Sequence, residues 1–470
     1  MSAATSPGGE AIVRGRYVLT AAGAGSDPDD GLVEDGAVHV ADGRIVAVGR
    51  FAELAAAHPD LAVHGGPDDL VTPGFVNTHG HFSEALITGI AEQYTLWEWV
   101  AALIDPVAPH LTEEMAHVGT LLAGAQMLQT GITLANDMFV CDPGGMPPVT
   151  PGVVRALDEL GLRGVVSFGA GDRRPGSPMG AVMDEHAALA EAAAASRLSR
   201  FRVGVGAVGA QSEELFAAST ALAVDGGYGV HIHLHEIREE VTATRQRYGH
   251  TAVEHCAHHG LFAAPTLAAH CCWVDNRDRE LLAQHRVGVA HNPVSNMILA
   301  SGVCPVADLR ARGVDVGLGV DGPASNDRQD MLEAIKSSVL LARVDALQAT
   351  AMEARDAFAM ATIGGARALR LDDELGSLEP GKAADLVVFD GTSPALANIH
   401  DPYQALVYCA GPRDVKDVWV AGQRSVIDGD VVGIDLADVV GRSRPLAAEL
   451  VGDAGLGRLS RLVTAPAGVS

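Results

Sequence analysis

The sequence is poor in several kinds of residue, and each scarcity excludes a class of protein. Aromatic residues make up 4% of the 470 positions, and only three lysines occur. Lys and Arg together number 33 against 59 Asp and Glu, which gives a formal net charge of −26. Because nucleic-acid binding requires a basic face, we expect no nucleic-acid partner. This charge suits a soluble protein with a neutral or cationic small-molecule partner.

Paired cysteines and long apolar runs are also missing. The six cysteines form no CxxC pair, which is typical of a protein in a reducing cytoplasm rather than of a disulfide-bonded secreted one. No run of 18 apolar residues occurs, and the first twenty residues lack the charged and apolar segments of a secretory signal. We therefore expect a cytoplasmic protein that has no membrane partner.

Hydrophobic periodicity predicts one large domain and one small one. Short alternating segments broken by Gly and Asp-Gly turns, typical of β-hairpins, occur in 11–50 and again towards the other end. Between them, apolar runs alternate with alanine-rich helical stretches in about eight βα units, as in a (β/α)8 barrel. We predict an α/β protein with a TIM-type barrel over 69–371 and a small β-sandwich built from 1–68 and 372–470. A doubly wound sheet is the alternative, but no GxGxxG turn follows an early strand.

Polar side chains stand where the predicted barrel strands stop, which is the end that carries the chemistry of such barrels. They are His79 and His81 in "NTHGH", His233 and Glu236 in "HIHLHE", His270 in "AAHCCW", His291 in "VAHNPVSN" and Asp321 in "GVDGPASND". Any one of them alone is more simply interpreted as a polar residue at the mouth of the barrel whose hydrogen bonds are made, rather than as a catalytic residue. Three imidazoles and a carboxylate together are a ligand set for zinc or ferrous iron with a position left for water. Strand period alone does not choose among His231, His233 and His235.

These motifs resemble the amidohydrolase superfamily. Within it, they are most similar to the aminohydrolase branch of S-adenosylhomocysteine and methylthioadenosine deaminases, 8-oxoguanine deaminase and s-triazine hydrolases. The matching stretches span almost the whole chain in order: "TPGFVNTHGHF", "LWEWV", "HIHLHE", "LAAHCCW", "HNPVSNMILASG", "LGVDGPASND", "ATIGGARAL" and "GSLEPGKAADLVVFD".

The resemblance implies one divalent metal per chain. Its ligands would be His79, His81, His233 and Asp321, and the ion would be zinc, with ferrous iron as the alternative. In dinuclear members of the superfamily a carboxylated lysine bridges the two ions. All three lysines here follow Asp321 in the sequence, which predicts a mononuclear site.

The resemblance also implies hydrolytic deamination, in which metal-activated water attacks a ring carbon and ammonia leaves. Glu236 would move a proton from water to the ring nitrogen, and the alternative is that it only orients His233. His270 would polarise the attacked centre or orient the water beside Asp321, which would accept the second proton of the water. Members of this branch form dimers or larger assemblies, so a homo-oligomer is expected.

Four further residues are predicted to contact the substrate. Trp97 would form a wall for a flat ring, and Gln211 would offer its amide to a ring edge. His291 and Asn296 complete the predicted set. The alternatives are rim packing for Trp97, a solvent-facing helix start for Gln211 and a buried hydrogen-bonded histidine for His291.

Two departures from the branch argue against a nucleoside substrate. Gly206 stands where deaminases of adenosyl compounds carry a histidine, and "LITG" at 86–89 stands where they carry an arginine. We therefore predict that the substrate is a free amino-substituted N-heterocycle: an oxopurine, pterin, pyrimidine or s-triazine. The alternatives are dechlorination or dealkylamination of a triazine and deamination of an adenosyl nucleoside. A third and remote alternative is a non-catalytic scaffold protein of the same fold. The presence of every predicted metal ligand argues against it.

Overall fold

The computed structural model describes residues 9–23, 31–174 and 176–459. Its strands are β1 (Ala11–Leu19), β2 (Leu32–Ala41), β3 (Arg44–Arg50), β4 (Ala62–Gly65), β5 (Leu70–Pro73), β6 (Phe75–Gly80), β7 (Ile132–Phe139), β8 (Arg163–Phe168), β9 (Ser199–Ala207), β10 (Gly229–Leu234), β11 (Thr266–His270), β12 (Gly288–His291), β13 (Val316–Leu318), β14 (Leu386–Phe389), β15 (Val415–Val420), β16 (Gln423–Ile427) and β17 (Asp430–Val431).

The helices are α1 (Phe51–Ala57), α2 (Leu96–Trp99), α3 (Asp105–Val107), α4 (Glu113–Gln129), α5 (Pro151–Leu160), α6 (Met179–Ala195), α7 (Glu213–Gly226), α8 (Arg238–Tyr248), α9 (Ala252–His258), α10 (Asn276–Gln284), α11 (Pro293–Ile298), α12 (Val306–Ala311), α13 (Met331–Ala346), α14 (Ala354–Ala361), α15 (Ile363–Ala368), α16 (Pro402–Tyr408) and α17 (Leu436–Asp453). Among the described residues, no helix is both long and apolar enough to cross a membrane.

Strands β6 to β13 form a parallel barrel in chain order. These strands are almost entirely buried, as expected when helices cover the outer face and side chains fill the interior. The barrel closes where β13 lies against β6: the Asp321 N–H donates to the His79 carbonyl at 3.0 Å. Thr78 Oγ1 donates to the Leu318 carbonyl at 2.8 Å across the same junction. The predicted (β/α)8 barrel is confirmed.

The two chain ends form a second, mixed sheet of β1–β5 and β14–β17. Strand β5 joins the ends, since it pairs in parallel with β1 and antiparallel with β14. The alternating valines of these strands, among them Val13, Val38 and Val388, pack into one core cluster. The predicted small β-domain built from both ends is confirmed. The boundaries at residues 68 and 371 stay a prediction; β5 pairs within the mixed sheet, and the first barrel strand begins at Phe75.

A buried ion pair ties the barrel to the mixed sheet. Arg163, at the start of β8, donates from Nε and Nη2 to the two carboxyl oxygens of Asp385 at 2.8 and 3.1 Å. Asp385 also accepts the Ala421 N–H at 2.7 Å. The side chains of this pair are 17% and 4% exposed, whereas those of the pair Arg200–Glu374 are 55% and 50% exposed.

We expect Asp385→Ala to lower the free energy of unfolding by about 3–5 kcal/mol, because it leaves a buried guanidinium unpaired. The matched control Glu374→Ala breaks a solvated pair and should cost less than about 1 kcal/mol. Urea unfolding followed by circular dichroism measures both values. Equal losses in the two variants would show that the buried pair does not hold the domains together.

Candidate metal centre and active site

Three imidazoles and one carboxylate converge at the carboxyl ends of β6, β10 and β13. The Nε2 atoms of His79 and His81 lie 3.3 and 3.5 Å from Asp321 Oδ1. His233 Nε2 lies 3.2 Å from His81 Nε2. The side chains of His79, His81 and Asp321 are buried, and His233 is half-buried. His79 Nε2 is buried with no hydrogen-bond partner. Lone-pair donors therefore face one point without a proton donor between them.

Backbone carbonyls of neighbouring strands orient two of these rings. His81 Nδ1 donates to the Met138 carbonyl and His233 Nδ1 to the Gly206 carbonyl, each at 2.6 Å. Because a carbonyl can only accept, each Nδ1 carries the proton and each Nε2 keeps its lone pair. Hydrogen bonds of this kind fix the tautomer of metal-binding histidines.

The three histidines of "HIHLHE" have different surroundings. His231 is buried behind His79 and contacts its Nδ1 through Nε2 at 2.8 Å. His235 follows the end of β10 with a positive φ of 50°, and its Nε2 accepts the Ala252 N–H at 3.1 Å. Only His233 reaches the cavity described below. A register shift between Ile232 and His233 and the turn after Leu234 break the simple alternation on which the sequence argument relied.

The donor set fits one divalent cation. Ligand atoms of His79, His81 and Asp321 lie within 4.8 Å of one another, as do those of His79, His233 and His270. Burial lowers the pKa of His79 to about 4, which keeps its ring in the neutral, ligating form. The lysines lie elsewhere: they contact the Tyr408 carbonyl, Glu379 and Asp69, and none lines the cavity.

A cavity of about 530 Å³ opens over this centre, within the usual size range of small-molecule sites. Its floor contains His81, His233, Glu236, His270 and Asp321. Its walls include Glu84, Trp97, Trp99, Val140, Arg173, Arg174, Gly206, Arg247, Tyr248, Leu299 and Ser325.

Glu236 and His270 form a buried acid–base pair beside Asp321. Glu236 Oε1 accepts the Ser301 hydroxyl at 2.9 Å, and its Oε2 lies 3.4 Å from His270 Nε2. His270 Nε2 in turn lies 3.9 Å from Asp321 Oδ2. Burial raises the pKa of Glu236 to about 7. Burial opposes protonation of His270, but the carboxylates of Glu236 and Asp321 raise its pKa above the ordinary value.

The predicted substrate contacts fall in different places. Trp97 lines the cavity and is 49% exposed. Gln211 is buried and donates to the Ala170 carbonyl at 3.1 Å. Asn296 is buried and accepts from His270 Nδ1 at 2.9 Å, and His291 is buried; these two and Gln211 are not among the cavity-lining residues. Asn296 therefore contacts the catalytic candidate His270 rather than the cavity.

Sequence reasoning missed Glu84, three residues after His81 in "HGHFSEAL". Its Oε2 accepts the Ala324 N–H at 3.0 Å, and the buried side chain lines the cavity. Gly322 makes room for it, because a Cβ at that position would overlap the Glu84 carboxylate. The only available signal was an acidic residue in the short helical turn Phe82–Glu84, directly after the strand end that carries His79 and His81.

Comparison with known families agrees with this arrangement. The model of the Amidohydrolase family matches residues 70–425. The chain belongs to this family. Residues 36–60 also match an imidazolonepropionase-like composite domain of bacteria.

Curated relatives and solved structures cover nearly the whole chain. The sequence is 36% identical over 426 residues to a 5'-deoxyadenosine deaminase of Methanothermobacter thermautotrophicus, covering 90% of this chain and 97% of that one. It is 33% identical to a 5-methylthioadenosine/S-adenosylhomocysteine deaminase of Thermodesulfovibrio yellowstonii, with 92% and 97% covered. A zinc-bound adenosine deaminase structure from Xanthomonas campestris is 29% identical, has a TM-score of 0.86 and covers 94% of this chain and 99% of its own.

A more distant structure shares the fold alone. The zinc complex of atrazine chlorohydrolase from Arthrobacter aurescens TC1 is 23% identical, with a TM-score of 0.83 and 93% and 99% of the two chains covered. The curated relatives and the buried histidine cluster identify the protein as a metal-binding hydrolase of the deaminase class.

We expect one tightly bound divalent ion per chain, with activity proportional to its occupancy. His231→Ala should weaken its binding about 10–100-fold, because His79 loses the neighbour that orients it. The control His110→Ala changes an exposed histidine and should leave binding intact. Elemental analysis with chelator competition measures stoichiometry and affinity. Two ions with activity following the second would contradict the mononuclear prediction.

Proposed function

We propose that the protein hydrolytically deaminates the adenine ring of a 5'-deoxyadenosine-type or 5'-thioether adenosine nucleoside, using one Zn²⁺. The observation that carries the proposal is the convergence of His79, His81, His233 and Asp321 beside the Glu236–His270 pair on the cavity floor. The ion would be held by those three histidines and Asp321. The names of the two curated relatives supply the substrate class.

The relatives favour the nucleoside alternative over the free heterocycle that Gly206 and "LITG" predict. Gly206 lines the cavity, and its carbonyl accepts from His233 Nδ1. Other polar groups on the cavity wall are available to a sugar and its 5' substituent. Burial, and after it the Asp321 carboxylate, raise the pKa of Glu84. Its carboxyl group can hydrogen-bond a sugar hydroxyl in either protonation state, and Arg173 and Arg247 line the same cavity.

Residues of the chain supply the proton transfers of the reaction. When bound, the zinc ion polarises a water molecule and lowers its pKa towards ~7. The Glu236 carboxylate takes a proton from the attacking water and gives it to N1 of the ring as the new C6–O bond forms. Asp321 accepts the second proton and returns it to the amino group, so that the C6–N bond breaks with ammonia as the neutral leaving group. His270, held between two carboxylates, orients the attacking oxygen through its Nε2.

We expect Glu236→Gln to keep the metal and to lower kcat about 10²–10⁴-fold, because the amide cannot carry the proton. Glu239→Gln changes an exposed glutamate three positions further along the chain, in the first turn of α8; it is the matched control and should retain full activity. Ammonia release by metal-quantified protein measures both variants. Near-normal turnover by Glu236→Gln would show that Glu236 does not transfer the proton and only orients its neighbours.

The dependence of kcat/KM on pH is a second test of Glu236 as the general base. Glu236 must be ionised to act as the base, so kcat/KM should fall as the pH drops through its pKa. Burial raises that pKa to about 7, and a bound cation opposes the shift. The acid limb should therefore lie between the ordinary value of 4.5 and about 7, and it should disappear from the residual activity of Glu236→Gln.

We expect higher kcat/KM for 5'-deoxyadenosine, methylthioadenosine or S-adenosylhomocysteine than for free adenine, because buried polar wall groups gain partners from the sugar. Glu84→Gln should narrow this preference, while Glu98→Gln, an exposed carboxylate near the rim, should not. Steady-state kinetics with purines, pterins and triazines as further substrates provide the test. A higher kcat/KM for a free base or a triazine would contradict the proposed nucleoside substrate and would favour the free N-heterocycle predicted from the sequence.

A further inference from the structure

A second cluster of metal-ligating side chains lies outside the catalytic centre. Glu213 begins α7, and His255 and His259 stand on α9 and at its C-cap. One ligand atom of each lies within 4.8 Å of the others. None of these residues belongs to the motifs that carry the family resemblance.

The spacing places both histidines on one helix face. His255 and His259 are four residues apart, the separation at which two helical histidines bind one zinc ion. Their ring centroids are 4.2 Å apart. Glu213 projects from the neighbouring helix, with Oε2 3.8 Å from His255 Nε2, which is too long for a hydrogen bond between them.

The buried member of the cluster is held in place. The His255 side chain is 2% exposed, while that of Glu213 is 49% exposed. His255 Nδ1 lies 3.2 Å from His250 Nε2, and its ring centroid lies 4.4 Å from that of Tyr248. One ring nitrogen is therefore occupied by His250, and the other faces the carboxylate. This is the arrangement in which an outer partner orients a ligating imidazole.

We propose that Glu213, His255 and His259 bind a second divalent transition-metal ion of the zinc type, with water completing its shell. Two imidazoles and one carboxylate suit such an ion, as in zinc sites that keep an open position. The site adjoins the catalytic cavity, because Arg247 and Tyr248 line that cavity and Tyr248 packs against His255. The ion would thus lie behind the cavity wall rather than at the reacting centre.

The test uses untagged holoenzyme whose catalytic ion has been quantified. Calorimetric titration with Zn²⁺ should show one further ion per chain, bound more weakly than the first. His259→Ala and Glu213→Gln remove exposed ligands, so folding should be unaffected, and each should weaken the second ion at least about tenfold. Both variants should keep the catalytic ion and its ammonia-releasing activity.

His58→Ala is the discriminating control. His58, at the C-cap of α1, lies near Glu10 and the β2 residue His39. These three are the other group of potential ligands outside the catalytic centre among the described residues. This variant should bind the second ion as the unaltered protein does. Absence of a second ion, or a second ion weakened by His58→Ala and not by His259→Ala, overturns the proposal. Failure of the proposed function would give a different result: the unaltered protein would lack the first ion or would release no ammonia.

Discussion

Closure of the barrel is the constraint on which the rest of the site depends. The first and last barrel strands are separated by about half of the chain, and they meet through the hydrogen bond from the Asp321 N–H to the His79 carbonyl. That contact places the Asp321 carboxylate next to the His79 and His81 imidazoles. Residues far apart in sequence thus share one buried volume because eight strands return to their starting point. An open sheet would leave the two ends of this ligand set at opposite edges.

The barrel backbone also determines the chemical state of the ligands. The carbonyls of Met138 and Gly206 accept hydrogen bonds from Nδ1–H of His81 and His233, so the fold selects the tautomer before any cation binds. Neighbouring side chains orient Glu236 and His270 in the same way. Ser301 holds one oxygen of Glu236 and Asn296 holds one nitrogen of His270, which leaves Glu236 Oε2 and His270 Nε2 facing each other. The atoms to which we assign the proton transfer and the orientation of water are those that the surrounding structure leaves without a hydrogen-bond partner.

Sequence patterns predicted the barrel because its strands are buried on both faces and read as short apolar runs between helical stretches. Sequence patterns also located the polar strand ends, because the residue at which an apolar run stops can be read directly from the sequence. Contacts between residues of different strands cannot be read in this way. The glutamate at position 84 therefore passed unnoticed, although it reaches the cavity from the turn after β6. Position at a strand end also predicts substrate contacts for His291 and Gln211. Both side chains are buried and lie outside the set that lines the cavity, and their contact with substrate stays a prediction.

The pairing of β5 with both β1 and β14 has a consequence for biosynthesis. Strands β1 to β5 leave the ribosome early, but β14 follows roughly 300 residues later, tens of seconds at typical rates of elongation. During that interval β5 exposes an unpaired edge, a template for association with other chains. All barrel strands therefore emerge while the mixed sheet is still incomplete. The last strands then add to an existing edge, so completion of the sheet is a late, long-range step in folding.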